Sequence, residues 1–374
     1  MNRSIGALRG HVRGREGRPV RRRSALCRRV CRTLLFLFLA SALAVACADD
    51  ENPNLASGEV VLYTSIPEDV VARLEGVVEQ RFPDLEGNYW LGLLDSGGIE
   101  LTVVRGRTAD IQERIAEELG RGDLKADMIW LAEPSPYEAY KEMGVLARYE
   151  PPADAPIPPS YVDPDGFYVA GRIISMVVAW NTSLLPDGLT DWPDLHDVEL
   201  AAFPAPQSGA ARATIKALID KYGSEFFTTL ANDGMRSVAS NGAARDGVVG
   251  GTFGAVAVLD YMARAAKANG SPVDFAYPVS GTLLIPSPIA ITTGARNPAA
   301  ARAVIDFILS RPGQQIVVEI GNFYPVRSDV AAPVGAPPLH TITALEFDWS
   351  TLPAEIDMIT AFWETLFPPP GPAD

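Results

Sequence analysis

Cysteine is scarce in this chain, with three residues in 374, and two of those fall in an arginine-rich leader. Cys27 and Cys31 belong to that leader, which leaves Cys47 as the single thiol beyond it. A disulfide framework, a thiolate zinc site and a cysteine nucleophile are thereby excluded from the body of the chain. Histidine is equally thin: only His196 and His340 lie beyond the leader, with no nucleophile beside either in sequence. The G-x-S-x-G elbow, the Walker phosphate loop and H-E-x-x-H are missing as well. Ser208 sits instead in Pro206-Gln207-Ser208-Gly209-Ala210, and an exported hydrolase is the disfavoured class. Positive charge is short too. From Cys47 onward the chain holds 21 basic residues against 45 acidic ones, which disfavours nucleic acid as a partner.

What is present begins with an address. Arg21, Arg22, Arg23, Arg28, Arg29 and Arg32 lead into an apolar run from Leu34 to Ala46. That run makes about 20 Å of helix, short of the ~30 Å hydrocarbon core of a bilayer. Basic residues, a short apolar stretch and small residues at its end describe a secretory signal over residues 1–46, with an uncleaved anchor as the alternative. Leu43-Ala44-Val45-Ala46-Cys47 resembles a bacterial lipoprotein cleavage box, in which Cys47 becomes the lipidated first residue. Residues 47–58 then read as lipidated cysteine and flexible tether, and residues 368–374 as a disordered tail.

From Glu59 the chain alternates short apolar runs with helical periodicity, the pattern of an α/β protein with largely parallel sheets. Val60 to Tyr63 reads as a strand, followed by a helix opening at Pro67, where proline loses only an N–H that would be unpaired anyway. Leu101 to Val104 is a second strand, with Thr108 capping the next helix, and Asp127 to Leu131 a third. Three strand-turn-helix units make a doubly wound lobe, with ligands expected beyond the strands' carboxyl ends. Residues 150–166 hold six prolines and read as a surface connection to a second lobe. Strands at Ile173 to Trp180, Val198 to Phe203 and Gly254 to Leu259 come next, then Pro286 to Ile291 and helices at 298–309 and 313–320.

Several of these segments, taken in order, are similar to a known family. They are Val61-Leu62-Tyr63-Thr64-Ser65, the run from Ala126 to Glu133, Gln207-Ser208-Gly209-Ala210, Leu259-Asp260-Tyr261, Pro286 to Ile291 and Gly321 to Arg327. The set resembles the periplasmic solute-binding proteins of ABC importers, in the branch holding ferric-iron, thiamine and 2-aminoethylphosphonate binders. The resemblance covers about residues 59 to 330. It implies the type II fold: two α/β lobes, each a doubly wound sheet, joined by a hinge, with a small-molecule solute clasped between them. It implies a membrane permease and its ATPase as partners, an exported location to which the Cys47 lipid anchor is suited, no cofactor and no enzymatic activity. The lobes are then expected at residues 59–165 with 280–367, and at 166–279, with the hinge crossing near 165–180 and 270–290. Residues 86–98 read as an insertion away from the cleft.

The family's iron binders use an adjacent tyrosine pair, a histidine near the first strand and a glutamate after the third. Here Asp260-Tyr261 stands in place of the pair, Ser65 and Ile66 in place of the histidine, and Glu133 remains, so Glu133, Asp260 and Tyr261 are the candidate iron ligands. The competing expectation is an anionic or zwitterionic solute: a phosphonate, a phosphate ester or a thiamine compound. Helix N-termini offer unpaired N–H groups to an anion, and Ser65, Thr108, Ser208 and Asn241 stand at four such starts. Arg105 and Arg107 add a possible guanidinium grip. Asp260 with Glu133 would take an amine at the ligand's other end, and Tyr261 or Trp130 an aromatic wall. Each residue also has an ordinary reading, as a helix cap, a surface charge, a core aromatic, or, for Asp260, a partner to a nearby arginine. A strongly acidic chain steers anions away, so any anion site has to be local.

Overall fold

The computed structural model describes residues 58–78 and 98–368. The leader, Cys47, nearly all of the tether, the insertion at 86–98 up to Gly97 and the tail beyond Pro368 lie outside the described residues.

The first strand, β1 (Gly58–Thr64), runs into α1 (Glu68–Val78), whose Val70, Val71 and Leu74 are buried as the spacing requires. β2 (Ile99–Arg105) is followed by α2 (Thr108–Gly120), and β3 (Met128–Trp130) by α3 (Ser135–Glu142). The proline-rich stretch contains only a 3-10 turn, Pro159–Tyr161. It leads to β4 (Val169–Asn181), buried at all of its 13 positions. Next come β5 (Ala201–Pro204), α4 (Gly209–Tyr222), α5 (Glu225–Asn232), β6 (Arg236–Val238) and α6 (Asn241–Val249). The chain continues through β7 (Ala255–Leu259), α7 (Asp260–Ala268), β8 (Val273–Ala276) and β9 (Leu284–Ile291). It closes with α8 (Pro298–Leu309), α9 (Arg311–Glu319) and α10 (Leu352–Leu366).

The strand order is β2-β1-β3-β9-β4-β7-β5-β6, with β8 also on β4. The expectation of largely parallel sheets needs correction: the sheet is mixed. β2, β1 and β3 are parallel to one another, as are β6, β5 and β7, but β9 pairs antiparallel with β3 and with β4. β4 in turn is antiparallel to β7 and β8. Each half is therefore a three-stranded parallel unit closed by an antiparallel strand that arrives from a distant part of the sequence. Long-range pairing of that kind leaves no local periodicity to read.

β4 belongs to both halves. Its residues through Ser175 pair with β9, and from Met176 onward it pairs with β7 and β8. The β8-to-β9 link is a second passage between the halves, and the segment from α9 to α10 a third, because Trp363 of α10 packs on Phe203 of β5 and Phe227 of α5. This is the two-lobed α/β architecture in which a long strand and a second crossing join two sheets. The β4–β9 register shifts between Ala170 and Arg172, a bulge at Gly171. Glycine is required there because a Cβ would lie 2.7 Å from the Trp130 ring. A bulge re-aims the side chains beside it, and the next residue along the strand is Arg172.

Candidate functional site

The carboxyl ends of all six parallel strands meet at one cleft of about 500 Å³. Ser65 follows β1, Gly106 to Thr108 follow β2, and Ala132 follows β3. From the other half come Ser208 after β5, Ser240 and Asn241 after β6, and Leu259 and Tyr261 at the end of β7. Between the two sets, Arg172 and Ile174 of β4 share the face turned to the cleft. Their i, i+2 spacing puts both on one side of the strand.

Of the residues singled out in sequence, Ser65, Arg107, Thr108, Ser208, Asn241 and Tyr261 all line this cleft, and Trp130 is core, 0% exposed. Their local roles differ from simple caps. Thr108 is the first residue of α2 rather than its cap; Arg107 holds the cap position, with its N–H donated to the Asp110 carboxylate at 3.2 Å. Asn241 likewise opens α6, whose cap is Ser240, accepting from the Ala243 N–H at 3.1 Å. Ser208 caps α4 by position but not through its hydroxyl, which accepts from Asn241 Nδ2 at 2.8 Å. That leaves the Ser208 O–H proton free for another acceptor.

Glu133 and Asp260 do not line the cleft. Glu133 is fully buried, accepts from the Ser135 N–H and hydroxyl, and is salt-bridged to Arg212 of α4 at 2.8 Å. Asp260 is buried against Arg264 at 2.7 Å and accepts from Tyr277 at 3.0 Å. Asp260 raises the pKa of the Arg264 guanidinium against the burial that opposes it. Both carboxylates therefore already hold a cation. Among the described residues no cluster of His, Cys, Asp or Glu is arranged to hold a metal ion.

Arg172 escaped the reading of the sequence. It is 2% exposed, with Nε donating to Ser287 Oγ at 3.2 Å and the guanidinium 4.1 Å from the centre of the Phe323 ring. Its Nη1 is buried with no hydrogen-bond partner, and no carboxylate pairs with it among the described residues. Burial pushes its pKa down to about 10, which keeps it charged at neutral pH. An unpaired charge taken out of water is expensive, so a buried arginine opening onto a cavity is built for something that comes and goes. The signal in the sequence was a lone charge inside the apolar run Val169-Ala170-Gly171-Arg172-Ile173-Ile174.

Ser65 Oγ and Asn241 Oδ1 are also buried without partners among the described residues. Arg105 and Arg245 complete a lining with four arginines and, among the described residues, no aspartate or glutamate. Arg105 donates Nε to the Ile66 carbonyl at 2.7 Å, whereas Arg107 and Arg245 are half-exposed and paired with Asp110 and Asp246. With those two paired, Arg105 and Arg172 leave a local excess of positive charge at the cleft, which eases the conflict with the acidic chain around it. His196, by contrast, pairs with Asp233 at 2.8 Å outside the cleft.

A two-lobed α/β body with strand ends and helix starts gathered round an interlobe cleft defines a class, the solute receptors of ABC importers. The chain belongs to the bacterial extracellular solute-binding protein family, whose profile matches residues 94–342. Proteins of this family are exported, present a small-molecule ligand to a permease with its ATPase, and are not enzymes. Among solved structures the chain is similar to the periplasmic binding protein P5PA, at 19% identity over 83% of this chain and 100% of that one, TM-score 0.70. It is similar to AfuA from Actinobacillus pleuropneumoniae with fructose-6-phosphate bound, at 20% identity over 83% and 98%, TM-score 0.71. Iron-bound HitA from Pseudomonas aeruginosa is similar at 20% identity over 82% and 99%, TM-score 0.68. No curated protein sequence matched significantly.

Proposed function

We propose that this chain is the lipid-anchored receptor of an ABC importer for a small anionic solute bearing a phosphate or phosphonate group. The observation that carries the reading is Arg172, a buried cation at the wall of a cleft whose described lining holds no carboxylate, with an Nη1 that has no hydrogen-bond partner. Around it stand Ser65, Arg107, Thr108, Ser208, Asn241 and Tyr261 as ligand-binding residues, with Arg105 as a further donor. Helix N-termini and a guanidinium fork together suit a tetrahedral oxyanion. That one structural neighbour was solved with a sugar phosphate is in keeping with this. The alternative, ferric iron, would have to take Glu133 and Asp260 away from the arginines that hold them. Anchoring through Cys47 rests on the cleavage box alone. The lobes, residues 59–165 with 280–327 and residues 166–279, part about β4 and the β8-to-β9 link; α10, expected with the first lobe in the range 280–367, sits instead on the second, where Trp363 packs on Phe203 and Phe227. Ligand contacts to both sides favour the closed form.

A thermal-shift panel tests the reading with inorganic phosphate, ethylphosphonate, glucose 6-phosphate, ferric citrate and glucose. A ligand at 100 times its Kd adds about 2.7 kcal/mol, and at least one phosphorus oxyanion is expected to do so. Arg172→Met should abolish that response while costing the unliganded protein little stability, because the buried guanidinium it removes has no salt bridge among the described residues. A response to ferric ion alone, with a phenolate-to-iron absorption band, overturns the reading.

A further inference from the structure

The sealing of both acids constrains the rest of the ligand. Resting on the anion reading above, we infer that the solute is an organic phosphate or phosphonate whose remaining body is uncharged, and that ammonium and thiazolium compounds are rejected. An ammonium group buried in a closed cleft needs a carboxylate or several acceptors to replace its water. The two buried carboxylates that adjoin cleft residues in sequence are out of reach for that purpose, and of the exposed ones Asp110 and Asp246 are paired with Arg107 and Arg245. Glu133 spends one oxygen on Arg212 and Ser135 Oγ and the other on the Ser135 N–H. Asp260 receives Arg264, Tyr277 and, at 3.4 Å, the Ser175 N–H.

What the cleft offers beyond its donors is apolar: Ile174, Leu259 and Met262, with the Tyr261 ring. A cation could in principle sit over that ring, but it would do so beside Arg105 and Arg172, the two lining guanidiniums not salt-bridged to a carboxylate among the described residues, which repel it. The unpaired Asn241 Oδ1 is a single neutral acceptor, suited to a hydroxyl rather than to an ammonium with three protons to place. The specificity is thus by exclusion. A zwitterion gains the same grip on its phosphonate as a simple anion and then loses the hydration of its amine.

The test is calorimetric titration of the full exported chain with matched pairs. Ethylphosphonate is compared with 2-aminoethylphosphonate, and glycerol 3-phosphate with phosphoethanolamine; thiamine monophosphate is run alongside. The expected result is that each neutral-bodied member binds at least about tenfold more tightly than its amine-bearing partner, the loss of ammonium hydration being uncompensated. Equal or tighter binding of the amine-bearing compounds overturns this inference and leaves the anion reading standing. No binding of any phosphorus oxyanion overturns the anion reading, and the inference with it.

Discussion

The two halves of this protein repeat one plan and differ at one joint. Each has three parallel strands, β2-β1-β3 or β6-β5-β7, closed by an antiparallel strand, and each places a buried carboxylate just past its third parallel strand. Asp260 finds its cation four residues on along the same helix, at Arg264. Glu133 finds its cation on α4, in the other half, at Arg212. One pair is internal to a half and the other ties two halves together. The same chemistry, a carboxylate and a guanidinium in the dark, therefore serves cohesion in one place and closure in the other.

Removing the two arginines separates those roles. Arg264→Met strands the buried Asp260 and also removes the donor to Asn322 beyond α9, and should cost about 3–5 kcal/mol, read from denaturant unfolding. Arg212→Met strands Glu133 at a contact that the halves can relieve by parting. Its stability loss should be clearly smaller, accompanied by a larger radius of gyration in solution scattering. Equal losses with unchanged scattering would break the comparison.

A milder perturbation sharpens it. α4 approaches Glu133 and Thr108 through Gly209, where an added Cβ would lie 2.8 Å from Glu133 Cγ and 3.1 Å from Thr108 Cγ2. Gly209→Ala should strain only the form in which the halves are together, by about 1–2 kcal/mol as overpacking typically costs. The unliganded protein should keep its unfolding midpoint while solute affinity drops about tenfold, as that strain requires. A lowered midpoint with unchanged affinity would mean that the halves do not part there.

How much of this was legible beforehand depends on where the information lies. α8 is bounded by Pro298 and Leu309 as its periodicity requires, and β1 to β3 fall where their apolar runs stand, because those signals are local. α5, β6, α7, β8 and α10 went unread; β6 is only three residues long and half-exposed, too short to show alternation. The antiparallel closure by β9 and β4 depends on partners far apart in sequence, such as Met128 with Ile291 and Met176 with Leu259. At the site, Ser65, Thr108 and Ser208 were found as helix starts beyond strand ends, by the general rule for open α/β sheets, whereas Tyr261 came from the resemblance. Glu133 was assigned to the ligand because Arg212, 79 positions on, is invisible as its partner in a linear reading. The i, i+4 spacing of Asp260 and Arg264 was visible, and outweighed by the resemblance. Arg172 was missed because a buried strand invites attention to its apolar residues.

The smallest expected effect concerns which hydroxyls serve the backbone and which serve the solute. Ser240 and Thr108 both stand at helix starts on the cleft, one in each half, yet only Ser240 accepts a hydrogen bond from its own helix. Ser240→Ala should therefore cost about 1 kcal/mol of stability, the usual loss on removing a cap. Thr108→Val keeps shape and volume and removes no cap. It should leave the unfolding midpoint unchanged and weaken solute binding about tenfold, the worth of one hydrogen bond to a charged group. If Thr108→Val costs stability and not affinity, its hydroxyl serves the fold, and the first half contributes to the site through Ser65, its arginines and its main-chain N–H groups alone.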